Sequence, residues 1–103
     1  MKNLAITKDV QDMLTPKSVL QDLLDGNQRF IDGKSQVVDN NALINQTIGG
    51  QFPKAVVLSC IDSRVPVETV LDRAIGDIFV SRVAGNFENI DILGSLEYSC
   101  KAA

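Results

Sequence analysis

The feature that most constrains this chain is the run Lys54-Ala55-Val56-Val57-Leu58-Ser59-Cys60. Ala55 to Leu58 is continuously apolar and partly β-branched. A strand buried on both faces reads this way, as in a parallel sheet. Polar turn residues Asp62-Ser63-Arg64 come next, and Pro66 then opens a helical stretch with Val67, Val70, Leu71 and Ala74 as its stripe. Gly76-Asp77 breaks that stretch, and Ile78-Phe79-Val80 is a second short strand. Strand, helix, strand in this order requires parallel strands joined by a crossover. The fold class is therefore α/β. Ala84-Gly85-Asn86 forms a turn, and Ile92, Leu93, Leu96 and Cys100 make a last amphipathic stripe on which Cys100 is expected to pack.

Upstream, the segment 1–14 is polar with scattered apolar positions and reads as a frayed or partner-bound arm. Residues 15–50 read as helical. Thr15 suits an N-cap, Pro16 the first helical position, and Leu14 with Val19 a hydrophobic staple. Leu20, Leu23, Leu24, Phe30 and Ile31 recur at helical spacing, and Gly33 is a stop. Leu43, Ile44 and Ile48 give a weaker period that ends at Gly49-Gly50. The phenylalanines read as core or interface residues. The whole, 1–103, is one domain, and 51–103 reads as half of an α/β core because no third strand comes after the last helix. Two parallel strands make a poor sheet. An open strand edge invites another chain, so self-association is expected.

Composition enters through what it excludes. The chain has no histidine, so no imidazole base, shuttle or ligand can come from it. Ten Lys plus Arg against thirteen Asp plus Glu give a net charge of −3, which argues against a nucleic-acid footprint. There is no membrane-spanning run and no apolar core of a secretory signal at the start, so a cytoplasmic location is expected. In a reducing compartment Cys60 and Cys100 are not expected to pair.

Ligands of open α/β sheets bind at the carboxyl ends of the strands. Cys60 to Arg64 stands there after the first strand, and Arg82, Ala84, Gly85 and Asn86 after the second. Cys60 is either a thiolate metal ligand or a small buried apolar residue. Asp62 and Arg64 are either a functional pair or a solvated salt bridge. Gly85 and Asn86 either present amides to a small anion or simply turn the chain. Ser63 has no base nearby and is read as supporting the turn.

Four segments in order resemble the β-class carbonic anhydrases over about Leu20 to Ala103. Cys60-Ile61-Asp62-Ser63-Arg64-Val65-Pro66 is similar to their first zinc motif, and Gly76 to Asn86 to their second hallmark segment. Gly26-Asn27-Gln28-Arg29-Phe30 resembles a stretch near the family's amino terminus, and Ser95-Leu96-Glu97-Tyr98 the helix before its next strand. Val83 stands where many members carry Asn. The resemblance implies a Rossmann-like sheet, dimers or larger homo-oligomers, and zinc-dependent hydration of carbon dioxide to bicarbonate. It implies Cys60 and Asp62 as zinc ligands, Asp62 and Arg64 as a switch pair that opens or blocks the water position, and Gln51, Ala84 and Gly85 at the substrate pocket. It also implies a His-x-x-Cys segment, which is not among these residues. On this reading the chain is the amino-terminal half of such an enzyme, inactive alone. The alternatives are a non-catalytic, self-associating α/β fragment and an anion-binding module built on Arg64, Arg82 and the Gly85-Asn86 turn.

Overall fold

The two apolar runs do form strands, and the strands are parallel. The computed structural model describes all residues, Met1–Ala103. Strand β1 (Ala55–Ser59) pairs with β2 (Ile78–Arg82) from Ala55 opposite Ile78 to Ser59 opposite Arg82. Around them lie α1 (Lys8–Asp12), α2 (Pro16–Ile31), α3 (Asn40–Gln46), α4 (Val67–Val70) and α5 (Ile90–Lys101). The class is α/β, with three helices before the first strand. The register carries the carboxyl ends of both strands to one edge, where the loops after Ser59 and Arg82 leave side by side.

Local signals govern the ends of α2. The Thr15 side chain accepts from the Ser18 N–H at 3.1 Å, and the Ser18 hydroxyl accepts from the Thr15 N–H at 3.0 Å. Two otherwise unpaired donors are thus satisfied reciprocally. At the other end Gly33 N–H donates to Phe30 O (3.1 Å) and Lys34 N–H to Arg29 O (2.8 Å). That closure needs a left-handed residue, and Gly33 supplies it at φ 68°.

Four expectations need correction. The segment 1–14 is not a loose arm. Lys2 bridges to Val38, Ala5 N–H donates to Gln46 Oε1 (2.8 Å), and the Gln11 amide reaches the carbonyls of Pro53 and Ala103. Sequence pattern misses this because the partners lie 36 to 92 positions away. Second, β1 is half-buried along its whole length rather than buried on both faces. Each strand of a two-stranded sheet keeps one edge without a strand neighbour. Third, the helix after Pro66 lasts one turn, because Asp72 takes a left-handed φ of 50° and turns the chain away. Fourth, α5 buries no residue. Ile92, Leu96 and Ser99 are half-buried, while Leu93 and Cys100 are exposed. Cys100 therefore does not pack, and a cleft of about 580 Å³ stays open between α5 and the strands beside Val56, Phe79 and Tyr98.

The apolar core is thin. Val19, Leu43, Val67 and Ile78 are its buried members, and Leu43 alone among large side chains is fully enclosed. The stripe expected on α2 divides between two directions. Val19 and Gly26 are buried, whereas Leu20, Leu24, Phe30 and Ile31 are exposed.

α2 is clamped on α4 and the residues just after it. A Cβ on Gly26 would stand 2.0 Å from Leu71 O, so the helix passes close to that carbonyl only because Gly26 has no side chain. The Asn27 amide donates to Val70 O at 2.7 Å, and Arg29 Nε donates to Asp72 Oδ2 at 2.6 Å. The Gln36 N–H also donates to Asp72. The segment Gly26-Asn27-Gln28-Arg29 is thus the fastening of a single-turn helix, too short to hold its own place.

Candidate functional site

Where β1 ends, the chain passes straight into Cys60-Ile61-Asp62-Ser63-Arg64. Where β2 ends, Val83 N–H still donates to Ser59 O (3.0 Å), so the next turn lies against Cys60. In that turn Gly85 and Asn86 both have left-handed backbones, φ 80° and 42°, and Asn86 N–H closes it on Val83 O. Its shape aims the Gly85 N–H at the Cys60 sulfur, 3.3 Å away. The amides of Asp62, then Gly85, then Ile61 hold the Cys60 thiol below its usual range against the opposing effects of burial and the Asp62 charge. Donors aimed at sulfur favour the thiolate, the form that binds metals.

Asp62 turns to Arg64. The guanidinium donates from Nε to Oδ1 (3.0 Å) and from its terminal nitrogen to Oδ2 (2.7 Å), and the Arg64 N–H adds a bond to Oδ1 (2.9 Å). This two-pronged pairing, together with the backbone N–H, lowers the Asp62 pKa and raises that of Arg64. Both carboxylate oxygens are engaged in this pairing.

Arg82 is the residue that motif reading underrated. From the end of β2 its Nε donates to Cys60 O and its terminal nitrogen to Asp62 O, both at 2.7 Å. It ties the two candidate ligand positions to the neighbouring strand. No periodicity signals this; a long donor at a strand end beside a loop rich in free carbonyls is the only hint. The same bonds use two of the five donors of the guanidinium that an anion-binding reading requires.

The structure thus brings together Cys60, Asp62, Arg64 and Gly85, with Ala84 exposed in the same turn. Gln51 is not brought to them. It lies ahead of β1, at the opposite end of the strand from Cys60, beside Phe52 and Tyr98. Cys60 and Asp62 are two donors where a zinc ion takes four ligands, three or four of them from protein. No third His, Cys, Asp or Glu stands with them, and Cys100 is on α5. These residues do not fit a zinc ion unaided.

Comparison with known proteins agrees with the motifs. Residues 55–103 match the family model described as carbonic anhydrase. Over 88 residues, 82% of this chain, the sequence is 41% identical to carbonic anhydrase 2 of Mycobacterium tuberculosis. It is 41% identical over 88 residues to a carbonic anhydrase of Mycolicibacterium smegmatis, and 36% identical over 67 residues to one of Synechocystis. The aligned part is 41% of each mycobacterial protein and 24% of the Synechocystis one, so the chain spans about two fifths of the length of its mycobacterial relatives.

Proposed function

We propose, from the match of residues 55–103 to the carbonic anhydrase family model, that these residues supply the cysteine–aspartate–arginine corner of a zinc-dependent carbon dioxide hydratase. One observation carries this reading. The two family-matched loops meet at Cys60, whose sulfur accepts the Gly85 N–H while Asp62 is held by Arg64. Cys60 would be one zinc ligand. Asp62 would be a second when released from Arg64 and would leave the metal when paired as here. Arg82 and Gly85 position Cys60 and the carbonyls around it. Carbon dioxide and bicarbonate are the substrates of this reading, self-association accompanies it, and the unpaired thiols suit a cytoplasmic location.

Because the donor set is partial, hydration on this reading needs further ligands from outside these residues. Zinc content and stopped-flow carbon dioxide hydration test it. The 103-residue chain is expected to retain no stoichiometric zinc and to hydrate no carbon dioxide. A longer polypeptide that adds a His-x-x-Cys segment is expected to do both, and to lose both on Cys60→Ala. A fully active Cys60→Ala form of that polypeptide would remove Cys60 from the site. A zinc-loaded, active 103-residue chain would show that the donor set is not partial.

A further inference from the structure

The loop that carries Cys60, Asp62 and Arg64 lies between β1 and α4, and α2 grips the chain at both ends of that unit. At the near end Lys54, the residue before β1, donates from Nζ to Asp22 Oδ2 at 3.0 Å, and its side chain is only 10% exposed. The Lys54 hydrogen bond, against burial, holds the Asp22 carboxyl below its ordinary value. At the far end the Asn27 amide caps the Val70 carbonyl and Arg29 holds Asp72. Asp22, Gly26 and Arg29 recur at i, i+4 and i+7, so they share one face of α2. Seven residues at about 1.5 Å each put about 10 Å between the two grips. We propose that Asp22, Asn27 and Arg29 are positioning residues for the cysteine–aspartate–arginine corner: α2 is a brace that holds the two ends of the β1–loop–α4 unit at a fixed separation and so keeps Arg64 on Asp62. The functional meaning of the brace rests on the hydratase reading of that corner.

Three observations direct the effect of the brace to the loop. First, the two ends are supported unequally. β1 pairs with β2 from end to end, and Lys54 N–H donates to Asp77 O at 2.8 Å. By contrast α4 is a single turn that packs mainly on α2, and one turn of helix does not hold its own place. The position of Pro66 and Val67 is therefore set by α2. Second, Arg82 fastens the loop only as far as the Asp62 carbonyl. Beyond it the turn is closed by short-range bonds alone: Arg64 N–H donates to Asp62 Oδ1 at 2.9 Å and Val65 N–H to Asp62 O at 3.2 Å. Third, the Arg64 side chain is 87% exposed, so packing does not keep it on Asp62. Its place follows from the backbone between Asp62 and Pro66, and the far end of that backbone is α4.

Amide hydrogen exchange of the 103-residue chain, read by NMR, tests this. Loop amides exchange through local opening, which does not follow global stability. Asn27→Ala is expected to speed exchange of the Arg64 and Val65 N–H groups about fivefold or more, the effect of losing about one hydrogen bond. It should also shift the Arg64 Nε resonance. Asp22→Ala should act in the same direction but less, because β2 still holds the near end. Leu43→Val, a change in the core outside the brace, should lower global stability and leave the exchange of Arg64 and Val65 and the Nε resonance as in the parent. If Asn27→Ala and Asp22→Ala lower the urea midpoint but leave the loop amides unchanged, the brace is structural only and the proposal falls. It falls equally if Leu43→Val speeds the loop as much as Asn27→Ala does. Asp22 is half exposed, so Asp22→Ala serves the test alone where Asn27→Ala does not fold. None of these readouts uses zinc or hydration. A fully active Cys60→Ala form of the longer polypeptide would remove the catalytic reading and leave them as they are, whereas unchanged loop exchange would remove the brace and leave the catalytic reading standing.

Discussion

At the scale of single residues, the glycines separate by what surrounds them. Gly26 faces Leu71 O at a distance no Cβ can occupy, whereas Gly94, inside α5, has nothing within 4 Å. Gly26→Ala should therefore force α2 off α4 and destabilise the chain by about 1–3 kcal/mol, the usual effect of overpacking. Gly94→Ala should stabilise it by about 0.4–1 kcal/mol, because alanine costs less backbone entropy in a helix. Urea denaturation of the two variants should give shifts of opposite sign. Asp77 poses a different problem. Its Oδ2 accepts the Ala74 N–H, but Oδ1 is buried without a hydrogen bond and has only the Lys2 ammonium, 3.8 Å away. Lys2→Met should cost roughly 1–2 kcal/mol, since it leaves a buried carboxylate without a counter-ion. In an Asp77→Asn background the same change should cost much less. A double-mutant cycle checks the coupling.

At the scale of elements, the join between α2 and α4 sets a pH dependence. Burial pushes the Asp72 carboxyl up, yet the Arg29 guanidinium and then the Gln36 side chain and N–H together hold it below the ordinary value. A carboxyl lowered by folding contributes stability that is full above its unfolded pKa, about 3.9. That contribution is lost as pH falls through the lower folded value. Arg29→Ala should cost about 2 kcal/mol near neutrality, less than for a fully buried pair because Arg29 is a third exposed. With Arg29 gone its lowering effect on Asp72 is lost, so the variant should lose less stability than the parent between about pH 5 and pH 2. Urea midpoints measured across that range give both slopes. The consequence for the site is one of geometry. The loop from Cys60 to Pro66 is anchored by β1 before it and by α4 after it, so the clamp fixes its far end.

At the scale of the whole molecule, the half-buried strands and the uncovered apolar residues of α2 leave apolar surface exposed. Binding between folded copies stabilises them by mass action. On the proposed self-association, the melting temperature of the chain should rise with protein concentration. Scanning calorimetry over roughly a hundred-fold range of concentration checks this, with an expected rise of several degrees. The family match and an incomplete donor set sit together at this scale. The matched loops meet at Cys60, and the candidate metal donors they bring are two.

The sequence determined whatever depends on neighbours a few positions apart. Thr15, Pro16 and Gly33 delimit α2 because capping needs only the next three or four residues. The apolar runs at Ala55 and Ile78 are strands because period and β-branching are local, and parallel pairing is a consequence of the helix between them. The motifs at Cys60 and Gly85 were legible for the same reason. Tertiary structure decided what depends on distant groups. It set Arg82 on the carbonyls of Cys60 and Asp62, Gly26 and Asn27 on α4, and the amino-terminal segment on Val38, Gln46 and Pro53. It also kept Gln51 from the Cys60 cluster and exposed Cys100, because a helix's buried face is chosen by what packs on it. A periodic pattern marks an apolar stripe; only the packed chain shows which part of it is covered.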